Sequence, residues 1–548
     1  MIYPVIQKNN LDGAAVNVTA VSVSGMYKEM AENILSDYGI SVSGGLKTEI
    51  SVVNSRKTTY IESLSRLSDE KYFINVNEDS IMIEASSRRG VFRAVNTLGK
   101  LISAGEVKTG VIEDYPLFAK RGYIEGFYGA TWKTDKRLSV MKLMAQNGMN
   151  TFYYAPKDDL YHRAKWREIY PEKELAEIKM LFDFATENEL DFCWCVGPGL
   201  TYKYTSEEDF NALFNKIMNV YSVGIRRFGL LLDDIPDDFQ YDEDNGVYDN
   251  IVDAHVELIS RLYAKLKETD SSVSLTVCPT QYFGESDDYY ISKFGNGVPA
   301  DVKVFWTGRQ ICSTFLTSRE ADDFSRSTSH RPLYWDNYPV NDAEMFQEMH
   351  LGAVKGRDKD LYKHCEGLIA NVMEYAESSK IPLMTIADYL WNPACYDSDK
   401  SLENAHREIL GDKAELFSYI ADHLCVSCVS RYGSAIMSEK LSHFSFLMTT
   451  GRKEEALALF AEYIKANREC LEMVSDTTVP LFAEIQKWVT KFAMCCDVLD
   501  AIYAVWEAPD DDKKQKLSVL LDKYNSDAVV LTGFCLRETA EKTLEGIL

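Results

Sequence analysis

Asp233 and Asp234 are adjacent carboxylates, and paired carboxylates in different surroundings can divide acid and base work between them. They follow an apolar run at residues 228–232 and precede Ile235-Pro236. A short, uninterrupted apolar run reads as a strand buried on both faces, as in a parallel sheet. Pro236 blocks its continuation. The acids therefore emerge where a buried strand ends, which in a (β/α)8 barrel is the catalytic face. Taken alone, the pair would also suit a strand-end turn or a helix cap.

Other apolar runs end in the same way. Glu125-Gly-Phe-Tyr-Gly129 closes the first and Ala155-Pro-Lys-Asp-Asp159 the second. Cys278-Pro-Thr-Gln-Tyr282, Phe305-Trp-Thr-Gly308 and Trp335-Asp-Asn-Tyr338 close the fifth, sixth and seventh, with Asn341-Asp342 beyond. Asn371 closes the eighth. Together these ends put carboxylates, amides, a lysine and aromatic rings on one rim. Aromatic walls with amide and carboxylate arms suit a sugar ring, which has apolar C–H faces and hydroxyl edges.

The elements that must position this rim are short apolar runs alternating with helical patterns, the signature of βα units. Eight strands are expected, at residues 122–125, 151–155, 191–196, 227–232, 274–278, 303–306, 332–335 and 367–370. Eight strands over roughly 250 residues match a (β/α)8 TIM barrel. An open doubly wound sheet would usually bring a glycine-rich phosphate loop, and the sequence has none. Upstream, residues 72–85 alternate around a turn at 77–80, a hairpin signal. Residues 86–102 read as an amphipathic helix with Val91, Val95, Leu98 and Ile102 on one face. After Trp391-Asn-Pro393 helical periodicity dominates; Leu457, Phe460 and Ile464 share one face, and Leu481, Ile485, Trp488 and Phe492 another. The expected fold class is multidomain α/β: a small N-terminal α/β domain at 1–118, a catalytic barrel at 119–397 and a C-terminal all-helical domain at 398–548.

A formal net charge of −25 over 548 residues disfavours nucleic acid or an anionic membrane as partner, since both call for clustered Lys and Arg. No charged segment followed by an apolar one opens the chain, and no apolar run is long enough to span a membrane. The expectation is a cytoplasmic protein, or a secreted one if a leader has been trimmed. The 12 cysteines are scattered through apolar runs, which suggests buried thiols in a reducing compartment. Cys425-Val-Ser-Cys428 has a metal-like spacing but no second pair to complete a zinc site; on a helical pattern it reads as core packing. The acidic run at residues 237–246 does not fit a calcium loop in register and reads as solvated.

With these motifs assembled, the chain resembles glycoside hydrolase family 84, the O-GlcNAcase and bacterial β-N-acetylglucosaminidase family. The residues that carry the resemblance are Arg121-Gly-Tyr-Ile-Glu-Gly-Phe-Tyr-Gly129, Tyr154-Ala-Pro-Lys-Asp-Asp159, Tyr161-His-Arg163, Lys165-Trp-Arg167, Asp233-Asp234, Trp335-Asp-Asn337 and Asn341-Asp342. Residues 69–98 are also similar to the α/β domain that precedes the barrel in this family. Gln281 departs from it, standing where the family usually has Glu. The resemblance implies a retaining, substrate-assisted hydrolysis of β-linked N-acetylglucosamine, in which the sugar's own acetamide oxygen attacks the anomeric carbon. It implies that Asp233 orients the acetamide and that Asp234 is general acid, then base. That task requires Asp234 to keep its proton to higher pH than an ordinary carboxylate, by desolvation and a charged neighbour. Because neighbouring strand residues point to opposite faces, both acids reach one site only if the chain twists at residues 233–235.

For grip, the resemblance implies Gly126 and Lys157 at sugar hydroxyls, and Asp342 and Asn371 at the 4- and 6-hydroxyls and their neighbours. It implies Tyr282 and Asn337 around the acetamide, Trp335 as the apolar wall and Cys278 near the same pocket. No metal or other cofactor is called for. The implied partner is a glycoconjugate bearing N-acetylglucosamine, and the helical tail leaves room for an oligomer contact. The alternatives are a non-catalytic N-acetylhexosamine-binding protein on the same barrel, and a related β-N-acetylhexosaminidase of different sugar preference.

Overall fold

The computed structural model of the chain describes residues 2–52, 68–431, 433–532 and 534–547. The chain opens with a six-stranded sheet built from β1 (Lys8–Asn10), β2 (Ala20–Gly25), β3 (Ser41–Val52), β4 (Tyr72–Val76), β5 (Ser80–Ala85) and β6 (Gly110–Asp114). Their order is β1-β6-β4-β5-β3-β2. β4 and β5 form the expected antiparallel hairpin, with Ile74 opposite Ile83. Helix Arg88–Ser103 buries Val91, Val95 and Leu98, the face that its periodicity marks out.

Eight parallel strands then close into a barrel. They are β7 (Lys120–Glu125), β8 (Thr151–Tyr154), β9 (Asp191–Val196), β10 (Arg227–Leu231), β11 (Ser274–Cys278), β12 (Lys303–Trp306), β13 (Leu333–Asp336) and β14 (Gly367–Asn371). All bounds lie within two residues of those read from the sequence. The strands are buried almost end to end, since helices cover one face and the barrel interior the other. The interior is packed, not hollow. Tyr153 and Phe305 meet edge-on at 5.2 Å, and Phe305 meets Trp335 at the same spacing. Small side chains make room for these rings: Cys193, Cys195 and Ala155 belong to the same cluster. A side chain at Gly229 would collide with the Cys195 sulfur.

A buried charge cluster joins the first sheet to the floor of the barrel. Glu70 accepts from Arg93 at 2.9 Å, Arg121 at 2.5 Å and Asn150 at 3.0 Å. Burial alone would raise the Glu70 carboxyl, yet Arg121 and Arg93 hold it well below the usual range. Glu70→Ala leaves two buried guanidinium groups without their carboxylate. It should cost about 3–5 kcal/mol, the usual loss on breaking a buried pair, read as a lower midpoint in urea unfolding. An unchanged midpoint would remove this joint from the account.

Helices fill the C-terminal region, with Leu481, Ile485, Trp488 and Phe492 buried as expected. On helix Lys453–Val474 the buried face runs through Ala456, Phe460, Tyr463 and Asn467, with Leu457 and Ile464 at its margin. These helices brace the loop that follows β13. Trp488 Nε1 and the Val530 N–H donate to the Gln347 carbonyl, each at 3.0 Å, and the Leu351 N–H donates to Leu424 at 2.7 Å. Two sequence expectations are corrected here. Residues 425–428 lie in a loop, not on a helix. Within the acidic run, Asp244 is fully buried, because it caps the backbone N–H groups of Tyr204 and Thr205 at 3.0 and 2.8 Å. No helix among the described residues is long and apolar enough to cross a membrane.

Candidate active site

Regular β10 structure stops at Leu231. One more ladder bond follows, from the Leu232 N–H to the Cys278 carbonyl at 2.9 Å, and then the chain turns. Asp234 has φ of +53°, in the left-handed region, which an aspartate tolerates better than most residues. This is the expected twist, and it brings both acids to one cavity.

The two carboxyls have opposite surroundings. Asp233 is buried, and Lys157 Nζ donates to its Oδ2 at 2.5 Å. Burial would raise the Asp233 carboxyl, but the charge and hydrogen bond of Lys157, with Arg163, bring it below the usual aspartate range. Lys157 is likewise penalised by burial and more than compensated by Asp233. Asp233 is thus a fixed carboxylate. Asp234 is exposed. Two phenols hold its carboxylate, Tyr128 donating to Oδ2 at 2.8 Å and Tyr282 to Oδ1 at 3.0 Å. Burial, and then Asp234 itself, push the Tyr282 hydroxyl up, so it stays a donor. Arg163 ties the turn down, donating to the Asp234 carbonyl at 2.9 Å and to the Tyr128 hydroxyl at 2.7 Å.

The cavity holds about 340 Å³, the low end of the usual range for small-ligand sites. All ten residues singled out from the sequence line it. Trp335 forms one wall, and Asn337 locks it there. Asn337 Oδ1 accepts from Trp335 Nε1 at 2.9 Å and from Asn371 Nδ2 at 3.0 Å, while its Nδ2 donates to the Ile311 carbonyl at 2.9 Å. Asn371 Oδ1 is buried with no hydrogen-bond partner among the described residues. A buried acceptor left unpaired costs about 1–3 kcal/mol, which a ligand hydroxyl would recover. Asp342 takes the Tyr128 N–H on Oδ2 at 2.7 Å, and burial lifts its carboxyl. Cys278 is buried, and its thiol is pushed well up by that burial and by Asp233, so the exposure that would make it a target for thiol reagents is absent.

Gly126 lies against this wall. A β-carbon there would sit 2.7 Å from Trp335 Cζ2 and 3.1 Å from Asn371 Oδ1. Gly126→Ala should therefore displace the wall and weaken ligand binding while leaving the fold intact. The expected result is a KM raised about tenfold, the equivalent of roughly 1.4 kcal/mol, with an unchanged unfolding midpoint. An unaltered KM would show that the glycine is not shaping the cavity.

The sequence motifs divide under this geometry. Glu125 lies outside the cavity, paired with Arg137 at 2.7 and 2.8 Å. Arg167 grips Asp209 at 2.7 and 2.6 Å, and Asp159 holds the Tyr170 hydroxyl at 2.7 Å. These are supports. Tyr128 and Arg163 stood inside the quoted motifs without an assigned task, yet both contact Asp234. Thr307, inside the run that closes the sixth strand, also lines the cavity, as do Cys312 and Met345; none of the three was assigned a task from the sequence.

The sequence pattern of the beta-N-acetylglucosaminidase family matches residues 121–421, more than half of the chain. The chain belongs to this family, glycoside hydrolase family 84. Its first sheet matches domain 2 of glycosyl hydrolase family 20 over residues 3–115. Among curated relatives, the protein O-GlcNAcases of Rattus norvegicus and Mus musculus are each 30% identical over 274 residues. That match covers 49% of this chain and 29% of each relative, so this family 84 chain spans under a third of their length. An O-GlcNAc hydrolase of Thermobaculum terrenum is 31% identical, with a TM-score of 0.72 over 79% of this chain and 95% of that one. The solved structure of CpGH84B is 25% identical with a TM-score of 0.85, covering 99% and 100% of the two chains. CpGH84D, at 22% identity and a TM-score of 0.81, covers 100% of this chain and 98% of its own, and is alike in fold.

Proposed function

We propose that this protein removes terminal β-linked N-acetylglucosamine from glycoconjugates, with retention of configuration, through an oxazoline intermediate. One observation supports this reading above the rest: neighbouring carboxylates, one buried against a lysine and one exposed among phenols, face a single cavity. In this reading the sugar's acetamide oxygen attacks the anomeric carbon. Tethered attack of this kind has a high effective molarity, so no nucleophile from the protein is required. Asp233, held as a carboxylate by Lys157, accepts the acetamide N–H and offsets the positive charge of the developing oxazolinium. Asp234 protonates the departing oxygen, then takes a proton from the water that opens the oxazoline. A sugar seated in the cavity excludes water from around the Asp234 carboxyl. Asn371 and Asp342 take hydroxyls, and Trp335 takes the apolar face. Tyr128 and Ile311 are 45% and 46% exposed at the rim, a mouth open enough for whatever carries a terminal sugar.

The test is hydrolysis of an aryl N-acetyl-β-glucosaminide with the product anomer followed by NMR. The β-anomer should appear first, and the galacto epimer should turn over more slowly. An α-anomer as first product would exclude the mechanism. Sugar binding by calorimetry without turnover would favour a non-catalytic binding protein.

A further inference from the structure

Cys425 and Cys428 share a CxxC spacing but have different partners in the structure. Cys425 donates to the Ala421 carbonyl at 3.0 Å. Cys428 sits beside Cys312 instead: Asn337, whose carbonyl its sulfur meets, also donates through Nδ2 to the Ile311 carbonyl at 2.9 Å, next to Cys312. Cys312 comes from the loop after β12 and lines the cavity. Cys428 comes from the helical tail, and its sulfur also lies 3.8 Å from the carbonyl oxygen of Asn337, another cavity residue. Both thiols are free and only partly buried, whereas Cys278 is buried. The pair thus joins two regions of the chain at the wall of the site.

The electrostatics set the two sulfurs apart. The Cys312 S–H donates to Cys428 and, with the Arg357 guanidinium, draws the Cys428 thiol down against the effect of burial. The same hydrogen bond, then burial, pushes Cys312 up. A lowered, reachable thiol beside a second thiol is the arrangement that reacts with peroxide and resolves to a disulfide.

We propose that Cys312 and Cys428 form a peroxide-sensitive disulfide that staples the helical tail to the cavity wall. The Cys428 thiolate attacks hydrogen peroxide; an S–O bond forms, the O–O bond breaks, and the departing hydroxide is protonated to water. The Cys312 sulfur then attacks the Cys428 sulfenic acid. An S–S bond forms, the S–O bond breaks, and hydroxide leaves with the Cys312 proton as a second water. The pair loses two hydrogens and two electrons, and one peroxide becomes two waters. Neither sulfur contacts Asp233 or Asp234, so the disulfide acts on the seating of the sugar and not on proton transfer.

The test uses the full chain, titrated with hydrogen peroxide, its remaining thiols capped with maleimide and its peptides mapped by mass spectrometry. The expected product is one peptide pair joined through Cys312 and Cys428, two hydrogens lighter, and reversed by dithiothreitol. The link should persist in Cys425→Ser and vanish in Cys428→Ser, while Cys312→Ser should leave a Cys428 sulfenic acid that dimedone traps. No such link at doses that modify other cysteines, or a link between Cys425 and Cys428, would overturn the proposal. On the glycosidase reading, the oxidised enzyme should show a raised KM with kcat retained. The peptide map does not depend on that reading, so the two stand or fall separately.

Discussion

Asp234→Ala should lower kcat/KM by about 10²- to 10⁴-fold, the usual contribution of a general acid–base group, on a substrate with an alkyl leaving group. The loss should shrink as the leaving group improves. A nitrophenolate departs without help, so its release needs no proton from residue 234. What remains slow in the variant is the second step, where water must be deprotonated. The intermediate should therefore accumulate, seen as a burst of aglycone followed by a slower steady rate. KM should fall with it, because formation of the intermediate now outpaces its breakdown. Full activity on alkyl substrates would remove Asp234 from its assigned task. Tyr282→Phe is the milder companion. It deletes one of the two phenols that hold Asp234, and a loss well short of the alanine variant is expected.

Much of this site was readable before any coordinates because a barrel concentrates chemistry at strand ends. β10 is a run of apolar residues because both its faces are buried, and such runs stand out in a sequence with 26% charged residues. Once eight such runs are placed, the residues after them fall on one rim by geometry alone. What escaped was set by contacts between distant segments. Tyr128 and Arg163 meet Asp234 from the loops after β7 and β8, and no local pattern reports which loop leans over which acid. The neighbour of Cys428 lies more than a hundred residues upstream, which the local CxxC spacing, read as core packing, does not report. Asp244 looked solvated amid other acids, yet the amides that it caps come from Tyr204 and Thr205. The exposure of Asp234 comes from its place in the cavity, which a strand-level reading does not see.

Asp233→Ala should fail differently, and in two measurable ways. Its carboxylate offsets charge that develops only in the transition state, so its loss should cost about 10²- to 10³-fold in kcat, comparable with removing one preorganised electrostatic group. A better leaving group should not rescue it, because cyclisation of the acetamide is impaired whatever departs. The substitution also strands Lys157, whose side chain is only 5% exposed, and breaking a buried pair costs about 3–5 kcal/mol of stability. Lys157→Met strands the acid instead. In the wild type the Asp233 carboxyl is depressed in the folded state, so the stabilisation from the pair is present above the ordinary aspartate range. It is lost only as the pH falls through the lowered folded value. Without Lys157, burial acts on Asp233 unopposed and its carboxyl rises. The acid limb of kcat/KM should then move to higher pH, and acid unfolding should begin at higher pH than in the wild type. The double variant Asp233→Ala with Lys157→Met has no stranded charge, and it should be more stable than either single variant while remaining inactive. Additive destabilisation in that cycle would mean that the two side chains do not act as a pair, and the fixed carboxylate on which the mechanism depends would lose its physical basis.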